Sequence, residues 1–220
     1  MSTGVKIINS TNGSVSIDEN YTNIWYDKTI SLPVSQFRDL GVNGSEHLKC
    51  IYSENGTGIT RARSSSNYAL ELYSTAFNPC SVLIFKRTEP AKPNMGMVIR
   101  NPNTGNIVFS SEELPLKVIE SYSGIVSQNP PTAEVVLLDK QYNSARKYGV
   151  VIGSLPSMVM IHGMVDGNYS TAWGLNIKSY NGRVTVSFKQ IGMLGAPTRL
   201  RGVTYNSVFN FLVADITDIV

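Results

Sequence analysis

Charge is scarce in this sequence, and what there is shows almost no bias of sign. Asp, Glu, Lys and Arg make up 16% of the 220 residues, and 19 basic against 16 acidic groups leave a net charge of only +3. The first 110 residues hold ten basic and eight acidic groups, the second 110 nine and eight. Nucleic-acid affinity is driven by phosphate neutralisation from a concentrated basic patch, so this even spread excludes a nucleic-acid partner from the expected functions. Histidine is rarer still. His47 and His162 are the only two, and neither stands in a spacing such as His-x-x-x-His or Cys-x-x-Cys, so no metal site is expected.

Cysteine is equally sparse. Cys50 and Cys80 lie in unrelated contexts, a pairing that leaves a disulfide open while favouring buried thiols. Long apolar runs are missing: Met158-Val159-Met160-Ile161 has the length of a strand, far short of the roughly 18 residues that cross a bilayer. The opening Met1-Ser2-Thr3-Gly4-Val5-Lys6 lacks a basic region followed by an apolar core, so no signal peptide is read there and synthesis in a cytoplasm is expected. Catalytic motifs are wanting too. Gly-x-Ser-x-Gly does not occur, and Gly149-Val150-Val151-Ile152-Gly153-Ser154 has neither the lysine nor the glycine spacing of a phosphate loop. The carboxylate pairs Glu112-Glu113 and Asp215 with Asp218 offer no second acid across a cleft. No catalytic residue and no cofactor is therefore expected.

What the chain does have is punctuation. Eighteen glycines, ten prolines and many Ser, Thr and Asn residues break short apolar runs, the composition of strands joined by turns. The clearest unit reads Val5 and Ile7 alternating along one arm, Asn12-Gly13 at a turn, and Val15 and Ile17 along the other, which predicts a β-hairpin. An offset of 92 residues lays a second unit on it without gaps: Gly4 on Gly96, Ile7 on Ile99, Asn9 on Asn101, Gly13 on Gly105, Ile17 on Phe109. A third, residues 174–186, alternates Leu175, Ile177, Val184 and Val186 about Asn181-Gly182. Three comparable hairpins are consistent with an old duplication, and equally with the recurrence of Asn-Gly and Thr-Gly hairpins in any β protein.

Further strands are read at residues 23–32, 82–85, 116–119, 134–138, 150–152, 158–161 and 209–213. The expected fold is mainly β, built of antiparallel sandwich-like modules made from hairpins, with little helix. Residues 67–73 and 140–146 are candidates for short helical turns, although neither sustains a 3.6-residue period. Pro130-Pro131 cannot continue a central strand, which sets an expected boundary between an N-terminal module, 1–126, and a C-terminal module, 127–220, with a single domain as the alternative.

Contacts are expected in three places. Residues 41–67 are polar and turn-rich and are read as a long loop whose Arg61 and Arg63 are candidates to meet an acidic partner or a polysaccharide, a solvated loop being the commoner case. Tyr169 and Trp173 are aromatic anchors, as are Tyr21, Trp25 and Tyr26, with core packing the commoner role for tryptophan. The second hairpin carries Val98 and Val108 on the face that is mostly polar in the first, so it needs cover on both faces from its own chain or from a neighbouring subunit.

Residues Gly4-Val5-Lys6-Ile7, Gly13-Ser14-Val15-Ser16-Ile17-Asp18 and Tyr21-Thr22-Asn23 resemble the opening of small virion proteins of tailed bacteriophages. Gly96-Met97-Val98-Ile99-Arg100-Asn101, Gly105-Asn106-Ile107-Val108-Phe109 and Leu116-Lys117-Val118-Ile119 resemble their central segment, where Ser110-Ser111 replaces the Asp-Ser that typically follows the hairpin. The resemblance implies a structural component of a tail, tail tip or tail fibre, assembled in the host cytoplasm into the virion, with other tail proteins and copies of itself as partners. It carries over no catalytic residue. A receptor-binding module for a bacterial surface glycan or protein is the alternative, and a polysaccharide depolymerase the third reading.

Overall fold

A computed structural model describes residues 6–8, 15–18, 23–32, 37–39, 46–64, 68–73, 78–87, 96–126, 133–164, 167–194 and 204–220. Among these there is no helix. In chain order the strands are β1 (Lys6–Ile8), β2 (Val15–Asp18), β3 (Trp25–Leu32), β4 (Phe37–Asp39), β5 (His47–Tyr52), β6 (Thr57–Ser64), β7 (Tyr68–Tyr73), β8 (Cys80–Lys86) and β9 (Val98–Arg100). There follow β10 (Ile107–Ser110), β11 (Lys117–Ile125), β12 (Val135–Gln141), β13 (Tyr148–Ser154), β14 (Ser157–Met164), β15 (Gly167–Tyr180), β16 (Arg183–Leu194), β17 (Thr204–Asn206) and β18 (Val208–Asp215).

Two antiparallel sheets face each other. One runs β11-β18-β13-β5-β8-β3; the other runs β12-β16-β15-β6-β7-β4, with β14 on β15 and β17 on β14. Leu32, Ile51, Val82, Ile84, Val150, Phe211 and Val213 from the first pack with Ile59, Leu138, Leu175, Ile177, Val184 and Val186 from the second. Alternation puts these side chains on the inner faces. The mainly β, sandwich-like architecture read from the sequence is the architecture observed. The six-stranded sheet is apolar on its outer face as well. Cys50, Leu83, Phe85, Val151 and Ala214 gather there under Ile216, which explains why Val82 to Phe85 form an unbroken buried run instead of an alternating one.

Strand changes of sheet tie the layers together. β13 pairs with β18 in the six-stranded sheet, and their chain neighbours β14 and β17 pair in the eight-stranded one. Both chains cross at one corner, where the Asn206 side chain donates to the Leu155 carbonyl at 2.8 Å. Each sheet takes strands from both sides of residue 126, so the expected 1–126 and 127–220 division runs across both sheets and not between them. Pro130-Pro131 lies outside the described residues.

The strands of all three hairpins pair, while Val5 and the Asn12-Gly13 turn of the first lie outside the described residues. β1 pairs with β2, opposing Ile7 to Ile17, and β9 with β10. In the second unit the Asn101 side chain accepts from the backbone of Asn103 and Thr104, and Gly105 takes φ +75°. The third, β15–β16, turns through Asn181 at φ 47° and Gly182 at φ 74°, two consecutive left-handed residues as a type I′ turn demands. Two expectations are corrected. The long loop expected at residues 41–67 contains β5, an interior strand of the six-stranded sheet, and β6. Residues 68–73, a candidate helical turn, are β7, held between β6 and β4; tertiary pairing outweighs the modest helical preference of Ala-Leu-Glu-Leu.

Candidate assembly interface

The strands β11 and β12 are the edges of the two sheets on one side of the sandwich. Half of that side is laced by polar contacts. Lys140 Nζ donates to Glu120 Oε2 at 2.7 Å and Oε1 at 3.0 Å, and the Tyr142 hydroxyl donates to Glu120 Oε2 at 2.9 Å. The Tyr122 and Tyr142 hydroxyls are 3.3 Å apart. Hydrogen bonding from Lys140, then from Tyr122, holds the Glu120 carboxyl down at about 2. Burial, reinforced by the hydrogen bonds to Tyr122 and Glu120, pushes the Tyr142 phenol well above its ordinary range. Tyr122 stacks on Phe211 with centroids 5.3 Å apart, so the seam is rooted in the core. Beyond it, Asp139 receives Arg183 in a two-pronged pair of 2.7 and 2.6 Å.

The other half of the same side is apolar. Leu137 and Phe209 both pack against the cluster that holds Val126, while Lys140 and Tyr142 lie by Glu120, so β11 and β12 run in opposite directions along the seam. The end of β11 therefore lies by the start of β12. Ile125 is 75% exposed there, beside its cross-strand partner Val208, and Val136 is 58% exposed next to Val135. Val118 and Ile119, at the start of β11, are exposed as well. An edge strand offers a row of unpaired backbone groups, and proteins that avoid edge pairing place charges along it. Here the charges guard one half and leave Ser121 to Ile125 bare.

The residues expected to make contacts fall elsewhere. Trp173 is buried, packed with Met158 and Phe188 in a core cluster, and Trp25 is fully buried against Phe109 with ring centroids 6.1 Å apart. Val108 is buried and Val98 half-buried; the chain itself covers part of the second hairpin, through Trp25 on Phe109 and the Asn23 side chain, which donates to the Val108 carbonyl at 3.4 Å. Arg61 and Arg63 lie on β6, and Tyr169 on β15 opposite His162; nothing in the described residues gathers them into one site. Tyr21 is outside the described residues. Cys50 and Cys80 are free and buried. They belong to the outer and inner clusters respectively, so the sheet itself separates them.

The exposed start of β12 was signalled by the doublet Val135-Val136, which puts apolar residues on both faces of its strand; a second such doublet, Val118-Ile119, stands at the charged end of β11. The second half of β11 gave no such signal, because Ser121, Ser123 and Gly124 interrupt the pattern. Among the described residues no group of three or more His, Cys, Asp or Glu is placed to hold a metal ion, and no helix is long and apolar enough to cross a membrane. No family model, curated protein or solved structure matches the chain.

Proposed function

We propose that this chain is a non-enzymatic structural protein of a bacteriophage tail, which joins neighbouring tail proteins and copies of itself through the β11–β12 side of its sandwich. The observation that carries the reading is the uneven edge: charges along one half of β11 and exposed Ile125 and Val208 at the other, with Val135 and Val136 exposed at the start of the facing edge strand β12. An unguarded edge next to apolar side chains is the arrangement by which an incoming strand gains both backbone hydrogen bonds and side-chain burial. The bacteriophage assignment rests on the hairpin resemblance at residues 4–23 and 96–119.

Analytical ultracentrifugation of the purified chain tests the assembly, and mass spectrometry of purified particles tests the location. The wild type should associate at high concentration. The double variant Ile125→Lys, Val136→Lys should sediment as a monomer with an unchanged far-ultraviolet spectrum. A wild-type chain that stays monomeric at every concentration and is missing from particles refutes the proposal.

A further inference from the structure

The outer face of the eight-stranded sheet, which carries Val136 opposite Ser187 at one end, presents a second surface at the other. Cross-strand register places Gln141, Arg183 and Tyr180 in one row and Asp139, Thr185 and Lys178 in the next. Their neighbours Ile177, Ser179, Val184 and Val186 point inward and are buried, so alternation aims these six at solvent. Lys178, Tyr180, Arg183 and Thr185 line a shallow cleft of about 290 Å³, at the lower end of the size range of small-ligand sites.

The chemistry of the cleft is directional. Arg183 is locked by Asp139 through Nε and Nη2, which orients its plane and leaves Nη1 without a partner among the described residues. Gln141 is fixed through its amide nitrogen to the Tyr142 and Asn181 carbonyls, steadying the turn that carries Tyr180. No ion pair or hydrogen bond engages the Lys178 ammonium among the described residues, and the residue lies opposite Thr185 in the ladder. Two cations against one carboxylate leave the cluster at +1. Tyr180, 54% exposed, presents an apolar ring beside that charge, and the Thr185 hydroxyl, 3.5 Å from Asp139 Oδ1, lies in the next row.

We infer that this cleft binds an acidic sugar unit, a pyranose ring bearing a carboxylate. The carboxylate balances the surplus charge at Lys178 and Arg183 Nη1, the C–H face of the ring rests on Tyr180, and ring hydroxyls meet Thr185. A guanidinium already held in plane loses little freedom when it receives a carboxylate, and Tyr supplies rigid contact area with a polar tip. A neutral sugar lacks the first contact and an inorganic anion lacks the second. The inference is independent of the edge assembly, because none of the six residues belongs to the patch around Ile125.

The test is a titration followed by amide NMR with three probes: sodium glucuronate, glucose and sodium sulfate. Glucuronate should shift the signals of residues 178–185 and bind at least about tenfold more tightly than glucose or sulfate, the scale of one charge-assisted contact. Lys178→Gln and Tyr180→Ala should each weaken glucuronate by about that factor, and Lys178→Arg should keep it. The single variant Ile125→Lys, on the other sheet, should bind as the wild type does, which separates this site from assembly. Equal affinity for glucuronate and glucose, sulfate binding as tight as glucuronate, or glucuronate binding indifferent to Lys178→Gln and Tyr180→Ala overturns the inference, as does the absence of any shift.

Discussion

Gly174→Ala should damage the fold far more than a one-carbon change suggests. β15 pairs with β16 along most of its length, but on its other side it changes partner, from β14 over Gly167 to Trp173 to β6 over Leu175 to Ile177. Gly174 sits at the exchange. A Cβ there would stand 2.1 Å from the Ile59 carbonyl oxygen and 2.9 Å from Ile191 Cδ1, whereas ordinary contact begins at 3.4 Å. The obstructing atom is backbone, so relief means parting β15 from β6 at the three-residue ladder that joins β6, β7 and β4 to the rest of their sheet. Overpacking of this kind costs about 3 kcal/mol or more, and in a chain of this size each kcal/mol lowers the melting temperature by roughly 2–4 °C. A fall of about 6–12 °C is therefore expected in a thermal melt. Gly105→Ala is the comparison: nothing lies within 4 Å of its Cβ, and only the cost of a left-handed alanine, roughly 1–2 kcal/mol, applies. If Gly174→Ala melts within about 3 °C of the wild type, or Gly105→Ala is the worse of the two, the packing argument fails.

Two further predictions concern titration and reactivity. The Glu120 carboxyl is held at about 2 in the fold against 4.5 ordinarily, so its contribution to stability is complete above pH 4.5 and is lost as pH falls from there towards 2; Glu120→Gln should flatten the urea midpoint across that window, and an unchanged pH slope would show that the seam does not couple to folding. Burial pushes the thiols of Cys50 and Cys80 above their ordinary range, so a thiol reagent at pH 8 should find almost no reactive group in the native protein and two after denaturation. Rapid native labelling of either cysteine contradicts the packing of both clusters.

The hairpins were legible because their turns obey local chemistry. Asn181-Gly182 needs two left-handed residues, and no distant contact enters that requirement. β16 was legible for a related reason: Val184, Val186 and Phe188 face the core while Arg183 and Thr185 face water, a plain alternation. What escaped depends on the other layer. β5 and β6 looked like loop because His47, Lys49 and Arg61 are polar, yet β5 is sandwiched laterally between β13 and β8, and Lys49 is buried. Trp173 was a candidate anchor with core packing as the commoner role, and Phe188 and Met158 beside it give it the core role. The edge position of β11 is a property of sheet order, and periodicity within one strand carries no record of which strands stand on either side. The double crossing at Leu155-Pro156 and Ser207 was hidden for the same reason: each half reads as an ordinary strand, and only pairing reveals the change of layer.

The place of β18 fixes a timetable. It lies between β11 and β13, yet it is the last of the six strands in chain order. While the polypeptide is being made, β11 waits through 82 residues, 126–207, for the strand that will hold it. Non-local pairing of this kind is slow and leaves strand edges unsatisfied meanwhile. A chain interrupted before residue 208 has no seat for β11 and so cannot present the outer edge in its finished register. The fold thus works as a completeness check, in which the outer edge comes into being only after the strand behind it has been synthesised.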